Sequence, residues 1–289
     1  MPELPEVETV RRDLEQYLKN KKITKIIIRD DFVKKIAPSK AKFIKFLTGL
    51  TLKGVERVGK MMIFDFGTTH RVLAHMKMTG QFVFVPPRGS VVSGGHPVPQ
   101  SRETPDRFNK VIIDFGRFGR LYYNDMRKFG YFQLVTRDQV DLARKKFGPE
   151  PVEKRFTVKL FMSILERKPN LEIKKVLLMQ ELISGIGNIY ADESCFAAGI
   201  LPDRKIKTIT LFEKKKLYQS IVRILKKAIV ERGTSVNTYV DGSGKKGNYV
   251  RFLKVYHRAG ERCLKCKKAT IVKTRVAGRG TSYCPICQK

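Results

Sequence analysis

Residues 263–287 read CLKCKKATIVKTRVAGRGTSYCPIC, and the cysteines of this segment indicate how the C-terminal end folds. Its cysteines form a C-x2-C-x17-C-x2-C array, with Cys263 and Cys266 in the first pair and Cys284 and Cys287 in the second. This spacing lies within the range of structural zinc sites, in which four thiolates bind one tetrahedral ion. The array therefore predicts one structural Zn²⁺, and the alternatives are two disulfides or four thiols bound to nothing.

The 17 residues between the two cysteine pairs alternate in the manner of a β-hairpin. They include five Lys or Arg and no Asp or Glu, so we expect a basic hairpin that contacts phosphate. The remaining cysteine, Cys195, is followed by Phe196 and Ala197. This apolar context favours a small buried side chain over a nucleophile.

The charge of the whole chain also favours a polyanionic partner. In 289 residues there are 59 Lys and Arg against 27 Asp and Glu, which gives a formal net charge of +32. The length suggests one large domain or two ordinary ones. No apolar run approaches the ~18 residues that span a bilayer, and five cysteines are too few for a disulfide scaffold. We therefore expect a protein of a reducing compartment, the cytoplasm.

The first half of the chain has the pattern of one helix followed by a β-rich domain. Apolar residues from Val7 to Leu18 recur at helical spacing, and Pro5 is tolerated in a first turn. Between residues 23 and 135, short β-rich runs alternate with turn residues, which predicts a sandwich or barrel. The segment 86–106 has five prolines and three glycines, so we expect a mobile loop without helix or strand.

The second half changes to helical periodicity after FGPEP at 147–151. Two helical segments are separated by a Gly-Ile-Gly-Asn turn at 185–188, and one more amphipathic helix follows around residues 217–228. The segment 233–249 is rich in Gly, Ser and Asn and is expected to be a flexible loop. The fold class predicted is α+β, with an N-terminal β-sandwich and its flanking helix, and an α-rich C-terminal domain with a four-cysteine β-hairpin.

The N-terminus has chemistry of its own. A proline at position 2 usually permits removal of the initiator methionine, which would leave Pro2 as a secondary amine beside Glu3. An α-amino group titrates near ~7.7–8.0, so some neutral, nucleophilic amine exists at pH 7. Condensation with a sugar C1′ gives an iminium whose charge withdraws electrons in the next step. The simpler interpretation is that Pro2 and Glu3 only begin a helix.

Several motifs, in order along essentially the whole chain, resemble the Fpg branch of the Fpg/Nei family, the formamidopyrimidine-DNA glycosylases. PELPEVE at the start, in place of PEGPE, is similar to this branch and not to the endonuclease VIII branch. The motifs are PELPEVETVRR (2–12), HMKMTG (75–80), RKFGY (127–131), FGPEP (147–151), GIGNIYADE (185–193) and the four-cysteine segment ending in CQK.

The resemblance implies a role for each matching residue at the reaction centre. Pro2 matches the nucleophile that forms the Schiff base, and Glu3 its acid/base partner. Lys60 matches the proton donor in β-elimination, although by itself it is equally an edge charge before a strand. Arg279 matches the arginine that contacts the flanking phosphates and assists δ-elimination, although it is also an ordinary basic hairpin residue. Glu6 matches a supporting acid or caps the helix.

The resemblance also implies residues that bind DNA. Met78, Arg127 and Phe129 match the wedge that refills the duplex after a nucleotide has flipped out, although sequence alone would place Met78 and Phe129 in the core. Asn188, in the GIGN turn, matches a phosphate-binding asparagine of the helix-two-turn-helix. The family usually has a histidine-containing stretch where this chain has RFNK at 107–110, so a phosphate contact is lost or passes to Arg107 or Lys110.

The expected domains are a catalytic β-sandwich at 1–135, a linker at 136–150, a helix-two-turn-helix domain at 151–240, and the end of the lesion-binding loop with the zinc finger at 241–289. The implied activity is that of a bifunctional DNA glycosylase and AP lyase, which removes 8-oxoguanine and formamidopyrimidines from double-stranded DNA and cleaves the strand by β,δ-elimination. The implied protein is a nucleoid-associated monomer of bacterial type with one structural zinc. The alternatives are a catalytically silent DNA-binding protein and an RNA-binding zinc-ribbon protein.

Overall fold

A computed structural model describes residues 1–88, 92–95, 108–234 and 247–289. The chain divides into two compact units. The first consists of Met1–Lys145 and Glu231–Asn248, and the second of Lys146–Val230 and Tyr249–Lys289. Among the described residues, no helix combines the length and apolarity needed to cross a membrane.

The first unit is a β-sandwich with accompanying helices. Its elements are α1 (Leu4–Leu18), β1 (Lys25–Ile28), β2 (Ile36–Ala37), α2 (Lys40–Leu47), β3 (Gly54–Val58), β4 (Met61–Asp65), β5 (His70–His75), β6 (Gly80–Val85), β7 (Val92–Gly95), β8 (Asn109–Asp114), β9 (Arg120–Asp125), β10 (Tyr131–Thr136) and α3 (Arg137–Lys145).

Two five-stranded sheets form the sandwich, in the orders β1-β8-β9-β6-β7 and β2-β10-β5-β4-β3. Aromatic side chains from both sheets meet in its core, where the ring of Phe132 lies 6.0 Å from that of Phe82 and 4.9 Å from that of Tyr123. The β-rich runs of the sequence form seven of these strands, because their apolar side chains supply this core. The predicted sandwich is confirmed.

Helix α1 begins directly after Glu3, as its apolar spacing predicts, and Pro5 lies in its first turn. Its apolar face joins the sandwich core through residues from Val7 to Leu18. Its polar face bonds to β3, since Arg57 pairs with Glu8 at 3.0 Å and Arg11 donates to the carbonyl of Val55 at 3.0 Å. The N-terminus is therefore fixed against the sheet.

The expectation that residues 86–106 contain no strand is wrong. Val92–Gly95 form β7, an edge strand that pairs antiparallel with β6. A Cβ on Gly94 would lie 2.5 Å from Cγ2 of Val10 on α1, so this strand needs a glycine where it meets the helix. Pairing with β6 and packing against α1 stabilise the strand, although two of its four residues are glycines, which have low β-propensity. Residues 86–88 of the expected loop have neither helix nor strand, and 89–91 and 96–106 lie outside the described residues.

The first unit contains two further helices that the sequence pattern does not predict. Helix α2 interrupts the β-rich region, where Ser39 caps it by accepting the N–H of Lys42 at 3.3 Å. Helix α3 occupies Arg137–Lys145, inside the expected 136–150 linker, and it follows β10 without a break. Residues 231–248, which the expected boundaries place with the C-terminal domains, belong to this unit.

The second unit is mainly helical. Its elements are α4 (Val158–Glu166), α5 (Ile173–Leu178), α6 (Asn188–Ala198), α7 (Leu211–Val230), β11 (Val272–Val276) and β12 (Arg279–Tyr283). The helical pattern at 172–183 predicts a longer α5, but the helix ends at Leu178. The Gln180 side chain explains the difference, because it donates to the carbonyls of Leu178 and Ile186 at 3.0 and 2.8 Å and accepts the N–H of Gly185 at 2.9 Å. These bonds stabilise the turn that precedes α6.

Candidate functional site

The first residues of the chain are held by the carboxylate of Glu6. Its Oε2 accepts the backbone N–H of Glu3 at 2.8 Å, and its Oε1 accepts the backbone N–H of Thr234 at 2.7 Å. Pro2, Glu3 and Glu6 are all buried. Glu6 thus caps α1 and also fixes the backbone of Thr234, the last described residue before 235–246, which lie outside the described residues.

Lys60 lies in the two-residue turn between β3 and β4, after Gly59, whose φ is 56°. Arg57 connects this turn to α1, since it pairs with Glu8 at 3.0 Å and donates to the carbonyl of Gly59 at 2.9 Å. Burial acts to raise the pKa of Glu8, but the hydrogen bond from Arg11 and the charge of Arg57 together lower it by more than burial raises it. The net pKa is therefore lowered, and Glu8 is ionised. The lysine is buried, and these contacts connect the turn that carries it to α1.

His75 is a candidate that the sequence analysis did not single out. Burial lowers the pKa of His75 to about 3, and the positive charges of Lys77 and Lys60 contribute. Its Nδ1 accepts the N–H of Lys77 at 2.9 Å, so the neutral ring carries its proton on Nε2. The neutral His75 ring, beside two lysines, can donate Nε2–H to a phosphate oxygen. The signal available in the sequence was its place in HMKMTG, at the end of a predicted strand.

Met78, Arg127 and Phe129 lie together on the surface of the first unit. The Arg127 guanidinium lies 4.5 Å from the centre of the Phe129 ring, and its Nη1 lies 3.4 Å from Sδ of Met78. Met78 and Phe129 are each 45% exposed. Their apolar character alone suggested core positions, and the structure instead gives one exposed apolar cluster with a cation in it.

Lys110 is buried on β8, and its ammonium pairs with Asp31 at 2.7 Å. The hydrogen bond from Lys110 lowers the pKa of Asp31 and keeps that carboxylate ionised. A DNA phosphate would compete with this internal partner, and the DNA-binding role of Lys110 stays a prediction. Arg107, the other residue considered for that contact, lies outside the described residues.

In the second unit, the turn before α6 is bonded to the hairpin formed by β11 and β12. Asn188, the first residue of α6, donates from Nδ2 to the carbonyl of Gly280 at 2.8 Å, and Lys174 donates to the same carbonyl at 3.1 Å. Lys174 also pairs with Asp192 at 2.6 Å, with both side chains fully buried. The exposed Arg279 begins β12, next to Gly280.

The four cysteines of the array lie together, with all their sulfur atoms within 4.8 Å of one another. The Sγ atoms of Cys263 and Cys287, and those of Cys266 and Cys284, are 3.8 Å apart. A tetrahedron with Zn–S bonds of about 2.3 Å has sulfur–sulfur edges of about 3.8 Å, whereas a disulfide requires about 2.05 Å.

Backbone N–H groups support the same cysteine cluster. Those of Lys265, Ala269 and Cys287 point at sulfur atoms at 3.4, 3.5 and 3.4 Å, and the N–H groups of Ala269 and Lys268 lower the pKa of the Cys266 thiol. The four residues therefore fit a tetrahedral metal ion that prefers thiolates. Cys195 is separate and fully buried, which raises its pKa and makes it a poor nucleophile.

Comparison with known proteins gives the same family along the whole chain. Residues 1–132 match the formamidopyrimidine-DNA glycosylase N-terminal domain, and residues 147–240 match the H2TH domain of the same enzymes. The formamidopyrimidine-DNA glycosylase of Desulfitobacterium hafniense is 40% identical, and that of Lactococcus lactis subsp. cremoris is 39% identical, with all of both chains covered in each case.

Solved structures agree with these relatives. Lactococcus lactis Fpg in complex with DNA containing an abasic site is similar with a TM-score of 0.87 and 36% identity, over 99% of both chains. A mutant of that protein in complex with DNA containing Fapy-dG is similar with a TM-score of 0.88 and 36% identity, over all of both chains. The chain belongs to the formamidopyrimidine-DNA glycosylase family.

Proposed function

We propose that this DNA glycosylase of base excision repair removes oxidised purines from double-stranded DNA with Pro2 as its nucleophile. The observation that carries the proposal is the arrangement at the start of α1, where Glu6 fixes the backbone of Glu3 next to Pro2. The substrates are 8-oxoguanine and formamidopyrimidines, in keeping with the Fapy-dG in the DNA bound by the Lactococcus lactis mutant.

The reaction begins after the initiator methionine is removed, which frees the secondary amine of Pro2. The nitrogen lone pair attacks C1′, and the electrons of the glycosidic bond leave with the damaged base, which takes up a proton. The proline nitrogen then releases its proton, and opening of the sugar, with a proton taken up by O4′, gives an iminium between Pro2 and C1′. Removal of a proton from C2′ then expels the 3′ phosphate, and a second elimination expels the 5′ phosphate.

The buried side chains of Glu3 and Lys60 supply the proton transfers. Glu3, one residue from Pro2, moves protons to and from the sugar. Lys60, held by the Arg57 contacts, donates a proton during β-elimination. The neutral His75, whose charge state is set by burial and by the lysines beside it, donates Nε2–H to a backbone phosphate.

The exposed cluster on the same unit handles the duplex. Met78 and Phe129 fill the space left by the flipped nucleotide, and Arg127 faces the orphaned base. In the second unit, the N-terminus of α6 at Asn188 and the basic hairpin at Arg279 bind phosphate, and Arg279 assists the second elimination.

The metal is Zn²⁺, held by Cys263, Cys266, Cys284 and Cys287, and its role is structural. It supplies a cross-link that folds the short hairpin, and the reaction takes place at other residues. The protein acts as a nucleoid-associated monomer. The residues 1–135 form the catalytic domain, followed by the helix-two-turn-helix domain and the finger.

Borohydride trapping tests this function. Reduction of the iminium by borohydride should give a stable covalent adduct between the protein and duplex DNA with a single 8-oxoguanine. The matched control is the same protein with an uncleaved N-terminal tag, which should give no adduct. Absence of an adduct from correctly processed, DNA-binding protein would leave the catalytically silent DNA-binding protein as the correct interpretation.

A further inference from the structure

Two loops of the first unit carry the exposed cluster, and one buried carboxylate lies between them. The loop 76–79 contains Met78, and the loop 126–130 contains Arg127 and Phe129. Asp125, the last residue of β9, is 0% exposed and sits opposite Gly80 in the β6–β9 register. Asp125 therefore lies where the loop 76–79 ends and the loop 126–130 begins.

The Asp125 carboxylate accepts four hydrogen bonds, two on each oxygen. Oδ1 accepts the hydroxyl of Thr79 at 2.5 Å and the N–H of Arg127 at 3.2 Å. Oδ2 accepts the N–H of Gly130 at 2.7 Å and the hydroxyl of Tyr123 at 3.4 Å. Within the described part of the chain, no lysine or arginine side chain forms an ion pair with Asp125. Its charge is compensated by these donors from the two loops and the strand.

Thr79 closes the connection between the loops. Its hydroxyl donates to Asp125 and also lies 3.1 Å from the backbone nitrogen of Arg127, whose N–H it accepts. The backbone that carries Met78 and the backbone that carries Arg127 therefore share one small polar network. A shift of either loop would break bonds to the other.

Close packing around Tyr123 fixes the same loop ends. A Cβ on Gly80 would lie 2.5 Å from the Tyr123 hydroxyl oxygen, and a Cβ on Gly130 would lie 1.7 Å from it. Burial of Tyr123 and the neighbouring Asp125 charge raise the pKa of that hydroxyl, so it remains a protonated donor. Glycine at both ends lets the two loops close on this hydroxyl.

Burial of the Asp125 carboxylate costs desolvation free energy, and the sandwich already has a large aromatic core that stabilises it. An ionised group out of water needs compensating donors, and apolar replacements of such groups are often neutral or stabilising. The β6–β9 pairing already holds the strands together. What Asp125 adds, together with Thr79 and Tyr123, is a fixed spacing between the two loops.

We propose that Asp125 is a positioning residue that holds Met78, Arg127 and Phe129 in one preformed arrangement for insertion into duplex DNA. This inference rests on the proposed function. Side chains fixed in advance lose less conformational entropy when they enter the stack. The network matters where a base stack must be opened and refilled, and it is not needed for chemistry at an abasic site in a single strand.

The experiment compares Asp125→Asn with wild-type protein on two substrates. Each oxygen of Asp125 serves two donors, so an amide leaves two donors without an acceptor whichever oxygen it replaces. On duplex DNA with 8-oxoguanine, single-turnover excision should fall at least tenfold, since a misplacement of about 1 Å costs up to ~100-fold in rate. Borohydride trapping on a single-stranded abasic oligonucleotide should stay within about twofold of wild type.

Two sets of variants separate positioning from folding. Asp114→Asn is the control, because Asp114 lies at the other end of the β8–β9 pair. Like Asp125, it accepts the N–H of the residue two positions ahead, in this case that of Gly116 at 2.7 Å. The Asp114→Asn variant should excise 8-oxoguanine at the wild-type rate. Thr79→Val should lose excision as Asp125→Asn does, and Thr79→Ser, which keeps the hydroxyl, should recover it.

The fluorescence of 2-aminopurine placed next to the lesion gives a second readout. It should rise on binding of wild-type protein and should rise less with Asp125→Asn, because the stack is opened less fully. Equal losses on duplex and single-stranded substrates, or no loss on either, would overturn the positioning role. Failure of wild-type protein to form any trapped adduct would instead count against the proposed function.

Discussion

The two units hold their candidate residues on cores of different size. In the first, the Glu6 carboxylate, which accepts two backbone N–H groups, and the Arg57–Glu8 ion pair fix short segments on a large apolar sandwich. In the second, a buried ion pair and a cysteine cluster fix the hairpin of Arg279 around a small core. Loss of a bond in the first unit should therefore displace a site within an intact fold, whereas loss in the second should unfold the element that carries it.

The largest expected effect is removal of the proposed Zn²⁺ from the second unit. Structural Zn²⁺ in such fingers contributes on the order of 10 kcal/mol to folding, so Cys284→Ser should abolish zinc binding and unfold the hairpin. Affinity for duplex DNA should fall because the basic hairpin is lost. Zinc content by mass spectrometry and DNA binding by fluorescence anisotropy measure both effects.

Cys195→Ala is the matched control for that prediction, because this buried cysteine lies outside the cluster. It should retain one zinc per chain. Unchanged zinc content in Cys284→Ser would show that the four cysteines do not form the metal site.

The next effect concerns the ion pair behind the hairpin. Lys174→Met leaves the Asp192 carboxylate buried without its cation, which costs about 3–5 kcal/mol. Burial already raises the pKa of Asp192 to about 7, with Lys174 and the Ser282 N–H opposing the rise, so loss of Lys174 should raise it further. Urea unfolding of the metal-loaded protein measures the change in the free energy of unfolding.

The double variant Lys174→Met with Asp192→Leu should recover much of that stability, because no charge remains buried. If the single and double variants were equally unstable, the pair would not act through its charges, and the contrast between the two units would be weaker.

A smaller effect is expected from Glu6→Gln in the first unit. One of the two backbone N–H groups loses its acceptor, and a hydrogen bond to a charged group contributes about 1.5–3 kcal/mol. Trapping with duplex DNA should slow about tenfold while the chain stays folded. Glu15→Gln, which affects only the more exposed pair with Arg11 on the same helix, should change neither trapping nor stability measurably. Unfolding of Glu6→Gln under the assay conditions would contradict this difference between the two units.

The smallest effect is a pH dependence from His75. Its pKa in the folded chain is about 3, below the ordinary value of about 6.5. The unfolded chain therefore binds one more proton below pH 6.5, and stability should fall as the pH falls through that range. The loss should be on the order of 1–2 kcal/mol at pH 5. Urea midpoints from pH 5 to 8 should show this slope, and His75→Gln should flatten it.

The sequence predicted those elements whose pattern is local. The spacing of apolar residues indicated α1, the β-rich runs indicated seven strands, and the C-x2-C pairs indicated the cysteine cluster. It did not indicate β7, because a strand of Val-Ser-Gly-Gly depends on β6 and on the space beside Val10. Nor did it indicate the end of α5, which depends on side-chain bonds of Gln180.

The candidate site shows the same division. The chemistry of an N-terminal amine points to Pro2 and Glu3. Only the family resemblance points to Met78, Arg127 and Phe129, because apolar residues suggest a core until their exposure is known. Hydrogen bonds in the network around Asp125 join residues up to 48 positions apart in the chain, so no local sequence pattern predicts it. His75 lay within a quoted motif, but its neutral state depends on burial and on Lys60 and Lys77.

The residue that carries the trapped DNA shows which group of the protein is the nucleophile. After borohydride reduction, digestion and peptide mass spectrometry should find the adduct on the N-terminal peptide, at the nitrogen of Pro2, with the initiator methionine absent. An adduct on Lys60, or full activity in protein that retains Met1, would contradict a nucleophile at Pro2.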